Sequence, residues 1–99
     1  FYHSNQWKRM QALVKMACHG LDMYAFYVEH RLVKGRIAHH IIPISQEPGR
    51  ALDMGNLIYV SDSSHKKIHD AYAKSDDDKK IMQKKLFSIN KKIFHEAEG

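Results

Sequence analysis

The stretch that decides the fold is Arg36–Asp70, RIAHHIIPISQEPGRALDMGNLIYVSDSSHKKIHD. It holds two pairs of histidines, the adjacent His39 and His40 and, four residues apart, His65 and His69. IAHHII is apolar enough to be a strand. SQEPGRALDMG is loop-like, with Pro48-Gly49 as a turn. NLIYVS predicts a second short strand. SDSSHKKIHDAYAK predicts a helix beginning near Ser61 or Asp62, with Ile68 and Tyr72 on one side. The order is strand, loop, strand, helix. A hairpin would return the first strand's end beside the second, and the helix would then lie across it. His39 and His40 would come near His65. Neighbours on a regular strand point to opposite faces, so His39 and His40 are free to do different work. Residues i and i+4 on a helix share a face, so His65 and His69 can converge on one ion. Each histidine alone has an ordinary surface reading; the ordered set points to a metal site.

The flanks read as helices. SNQWKRMQALVKMACHG, within residues 1–20, can be capped by Ser4 and ended by Gly20. Trp7, Met10, Val14 and Ala17 would form its apolar face. SDDDKKIMQKKLFSINKKIFHEAEG predicts a final helix over 75–95. Ser75 would cap it, Asp76 to Asp78 would sit at its positive end, and Met82, Leu86, Ile89 and Ile93 would form its stripe. Its lysines fall mostly elsewhere, as a solvated face or as phosphate contacts. Between these ends, LDMYAFYVEHRLVKG is aromatic and β-branched, which predicts short strands before and after a turn near Lys34-Gly35.

Size and charge bound the rest. The 99 residues fit one domain, 1–99, whose modest core needs a metal, a partner or good helix packing. The single cysteine, Cys18, rules out an intramolecular disulfide and a cysteine-rich zinc site, and favours a reducing, cytoplasmic setting. The apolar runs are too short to cross a bilayer, so no membrane is expected, and no secretory leader is read ahead of the first helix. A net charge of +5 favours an anionic partner such as nucleic acid.

HHIIPI, RALDMGNLIYV and SHKKIH together resemble the HNH endonucleases, the ββα-metal or His-Me finger group, most closely the small phage-type members. The resemblance runs from about Trp7 to Tyr72 and is strongest over Ala38 to His69. It implies an α+β fold with a ββα-metal core over 36–73, between an N-terminal and a C-terminal helix. It implies metal-dependent hydrolysis of DNA phosphodiester bonds with one divalent cation. His39 fills the first metal-ligand place, His40 the general-base place, Asn56 the central asparagine that braces the loop, and His65 the ligand place on the helix. His69 matches a further ligand of the bacteriocin-like branch. Zn, Ni, Mn and Mg all remain open as the ion; imidazoles suit transition ions, and magnesium favours a carboxylate in the His39 place. Arg31, Arg36 and Arg50 flank the motif as candidate phosphate clamps. The phage-type likeness implies a bacterial cell or phage-infected host, and packaging proteins such as a terminase as partners beside DNA.

The pattern departs from the family in one respect. Many members hold a structural zinc with two Cys-x-x-Cys pairs. Here Ser61 and Ser64 stand at one pair, and the region Asp22 to Phe26 has no cysteine. That zinc is expected to be absent, with Tyr24, Phe26 and Tyr27 supplying packing instead. Two other readings stay open. One is a catalytically inactive basic nucleic-acid-binding module with a structural metal; the other is a plain helical domain with incidental histidines.

Overall fold

A computed structural model describes residues 1–94. The elements in order are helix α1 (Asn5–Ala17), helix α2 (Met23–Val28), strand β1 (Ile37–His40), strand β2 (Leu57–Val60), helix α3 (Asp62–Lys74) and helix α4 (Asp76–Phe94). The class is α+β: among the described residues, four α-helices surround one two-stranded antiparallel hairpin. The strand connection carries two 3-10 turns, Pro48–Arg50 and Met54–Asn56. The final helix follows the expected span, although His95 lies outside the described residues.

The hairpin pairs Ile37 with Val60, Ala38 with Tyr59, His39 with Ile58 and His40 with Leu57. All four residues of β2 are buried. A strand covered on both faces reads as an unbroken apolar run, and LIYV is one. Trp7 and Val14 from α1, Ile68 from α3, and Met82, Leu86 and Ile89 from α4 pack with the hairpin into one core.

The helix starts follow the sequence. Ser4 Oγ accepts from the Trp7 amide at 3.1 Å, Ser61 Oγ from Ser64 at 3.2 Å, and Ser75 Oγ from Asp78 at 3.0 Å. Each satisfies a donor that the first turn leaves unpaired. On α1, Cys18 replaces Ala17 in the buried face, and Ala17 is exposed. The helix is already ending there, and the chain turns through His19 and Gly20 at positive φ.

The expected strand over MYAFYV is instead helix α2. Asp22 decides this: its Oδ1 accepts from the Ala25 amide at 2.9 Å and starts a helical turn. Aromatic residues favour strands only where a partner strand exists. Extended pairing survives before the turn only as an isolated bridge, Leu21 with Lys34. Gly35 then passes directly over Tyr59; a Cβ there would come within 2.5 Å of the ring. The helix also re-sorts the aromatics. Tyr24 is buried and Tyr27 packs at the core's edge, but Phe26 is 40% exposed and is not part of the core.

Candidate functional site

β1 and α3 bring three histidines together. One ring nitrogen each from His39, His65 and His69 lie within 4.8 Å of one another. The Nε2 atoms of His65 and His69 are 2.9 Å apart, a closeness that the one-turn spacing on α3 allows. His39 faces them from the hairpin, with ring centroids 5.2 Å from His65 and 5.7 Å from His69. They line a cleft of about 490 Å³ together with His40, Tyr2 and Tyr72.

The electrostatics disfavour the charged forms of His39 and His65. Burial first, and then the neighbouring His65, His69 and His40, push the His39 pKa down to about 3. Burial and then His69 also lower His65, with Asp62 opposing. A neutral imidazole is the form that ligates a metal. His39 Nε2 is the one buried side-chain nitrogen or oxygen among the described residues that lacks a hydrogen-bond partner. Leaving such a group unpaired costs about 1–3 kcal/mol. A three-imidazole set with one orphaned nitrogen fits a transition cation.

His40 borders the same cleft, but its side chain leaves the strand on the face opposite to that of His39. Its ring stacks on Trp7 of α1, with centroids 4.8 Å apart and planes 19° from parallel. Its Nε2 is 2.8 Å from the Ala51 carbonyl oxygen. A carbonyl only accepts, so Nε2 carries the proton and Nδ1 is the basic nitrogen. Asn56 holds the loop that supplies this carbonyl. Its Oδ1 accepts from the Ile42 amide at 2.8 Å, and its Nδ2 donates to the carbonyls of Ile42 at 3.0 Å and Arg50 at 3.4 Å. The side chain is fully buried.

The chain matches no family model, no curated protein and no solved structure.

The three flanking arginines are not brought into the cleft. Arg31 pairs with Glu29 at 3.0 Å, Arg36 with Asp62, and Arg50 with Asp53 at 2.9 Å. Other residues, which the sequence reading did not assign to the cleft, border or brace it. Tyr72 lines the cleft and donates its hydroxyl to the Ile41 carbonyl at 2.6 Å, tying α3 to the end of β1. Asn90 donates to the carbonyls of Met54 at 2.8 Å and Leu57 at 2.7 Å, tying α4 to the return of the loop. A polar residue beside the α4 stripe was the available signal for Asn90. None existed for Ala51, which acts through its backbone.

At the positions where the HNH resemblance would put zinc-binding cysteines, the structure has hydrogen bonds. Asp22 Oδ2 accepts from Ser61 Oγ at 2.6 Å and from Ser64 Oγ, while Oδ1 caps α2. Ser61 is in turn the cap of α3. One buried carboxylate thus joins the start of α2 to the start of the helix that carries His65 and His69.

Proposed function

We propose that this chain is a metal-dependent endonuclease of the HNH, ββα-metal type that hydrolyses phosphodiester bonds in DNA. The observation that carries this reading is the division of labour at His39 and His40. His39 joins His65 and His69 around a point fit for one cation, while the adjacent His40 has its tautomer fixed by a backbone carbonyl on the opposite side.

His40 Nδ1 takes a proton from the attacking water. The Ala51 carbonyl and the Trp7 ring hold the imidazole in place as it charges. Asn56 keeps the loop from moving that carbonyl. His39, His65 and His69 would hold the ion, which supplies Lewis-acid stabilisation of charge at the phosphate and the leaving oxygen. Orientation of the imidazoles, with His39 and His65 biased to the neutral form, is the protein's share of the work.

A plasmid-nicking assay over Zn, Ni, Mn and Mg, run beside His40→Ala, tests this. Nicking is expected with at least one ion, abolished by chelator, and reduced about 10²–10⁴-fold in His40→Ala, the usual contribution of a general base. Metal affinity is expected to survive that substitution. Binding without cleavage under every ion would favour the inactive nucleic-acid-binding module instead.

A further inference from the structure

Among the described residues, the cations on α4 differ from the arginines around the motif. Each of those arginines, and Lys66 and Lys67 on α3, is paired with a carboxylate. Lys79, Lys80, Lys84 and Lys91 make no ion pair among the described residues. Lys80, Lys84 and Lys91 line one groove of about 510 Å³, with Gln83, Phe87 and Ser88 between them. Their spacing keeps them on one side of the helix. At 1.5 Å per residue the groove runs about 16 Å. Like charges at i and i+4 repel, so Lys80 and Lys84 make the helix less stable than a neutral face would. A row of lysines without ion pairs among the described residues suits a partner carrying repeated negative charge.

The groove and the histidine cleft share no lining residue, but side chains of each meet at one backbone carbonyl. Gln83 Nε2 donates at 3.2 Å to the Ile41 carbonyl, which also receives the hydroxyl of the cleft residue Tyr72. Lys79 lies 5.8 Å from the centre of the Tyr72 ring, so cationic charge extends to the cleft's edge. Farther along, the Arg50 guanidinium sits over Phe87 at 5.4 Å, one residue before the carbonyl that holds His40.

We propose that the α4 groove of Lys80, Lys84 and Lys91 seats the phosphodiester backbone of the nucleic acid whose reacting phosphate enters the histidine cleft. This rests on the nuclease reading for what happens in the cleft. The three ammonium groups act as point charges on successive phosphates and read no bases.

The test is binding of a fluorescent DNA duplex by the full chain, in chelator, across a range of salt. The logarithm of affinity falls with the logarithm of salt by about 0.9 per phosphate neutralised on B-form DNA. The variant K80A/K84A/K91A is expected to flatten that slope by about two to three units, and to weaken binding at least tenfold at low salt. Lys74→Ala with Lys85→Ala removes two cations that line a different pocket on the α3–α4 side, and is expected to leave the slope within about half a unit of the parent. An unchanged slope in the triple variant, or an equal loss per lysine in the control pair, overturns the groove. Plasmid nicking by the parent is measured in parallel. Nicking with an unmoved slope sinks the groove alone. A flattened slope without nicking under any ion upholds the groove and sinks the nuclease.

Discussion

His39 is costly to the protein without a ligand. It is buried, its Nε2 is orphaned, and burial holds its pKa at about 3 against an ordinary 6.5. Above 6.5 the folded and unfolded chains both carry it neutral, and it contributes nothing to pH dependence. Between 6.5 and 3 the unfolded chain binds a proton that the folded chain refuses, so stability falls as pH falls. The slope approaches about 1.4 kcal/mol per pH unit for one such site. Urea unfolding of metal-free protein from pH 7 downward is expected to show this loss, and His39→Leu to flatten it. Coincident pH curves for parent and variant would remove His39 from the account. Asn56 has a different kind of vulnerability. Its Nδ2 donates to two carbonyls, so Asn56→Asp puts carboxylate oxygen against carbonyl oxygen in a buried place. That costs about 2–4 kcal/mol, read as a lower urea midpoint, in addition to the loss of nicking that the nuclease reading expects.

At the scale of elements, the sequence was legible where short-range chemistry decides. Ser4, Ser61 and Ser75 cap the helices that follow them because a hydroxyl three residues before an amide is a local fact. The His65–His69 pair was legible for the same reason, since helical spacing alone places both rings on one face. MYAFYV misled because its β-branched and aromatic content describes what it can pack against, not which partner is present. The deciding residue was Asp22, a cap three residues before the Ala25 amide that the aromatic content overshadowed; only its second oxygen, whose hydroxyl partners lie about forty positions downstream, was beyond any local pattern. Asp22→Ala removes a helix cap and leaves two serine hydroxyls without an acceptor, one of them in the core. The expected cost is about 2–4 kcal/mol by denaturant unfolding. Asp22→Asn keeps the cap and is expected to recover about half of that. Added zinc is expected to restore neither variant, since no thiolates stand there. A Asp22→Ala protein as stable as the parent would mean that the aromatic packing of α2 alone carries this corner.

At the scale of the whole molecule, α3 meets the hairpin across the three histidines on one side and is pinned by Asp22 and Tyr72 elsewhere. The order hairpin-then-helix was readable from Arg36 to Asp70, but the placement of α1 behind His40 was not. Trp7 read as one more core residue, and only the folded chain sets its ring against an imidazole. A cation held by His39, His65 and His69 would join β1 to α3, residues far apart in sequence, and would bind the folded state alone. Such binding stabilises by about 2.7 kcal/mol at a hundred times the dissociation constant. At about 4–8 °C per kcal/mol for a domain of this size, the melting midpoint rises by roughly 10–20 °C. Zinc or nickel is expected to produce that rise, and chelator to reverse it. The double variant H65A/H69A is expected to abolish it, whereas His40→Ala keeps it, because His40 lies outside the ligand set. This contrast separates a built metal site from loose binding by surface imidazoles: loose binding would follow the number of histidines removed and ignore which face of the hairpin they occupy. Equal midpoints with and without zinc and nickel, up to millimolar ion, would leave the orphaned nitrogen of His39 without a purpose and the nuclease reading without its metal.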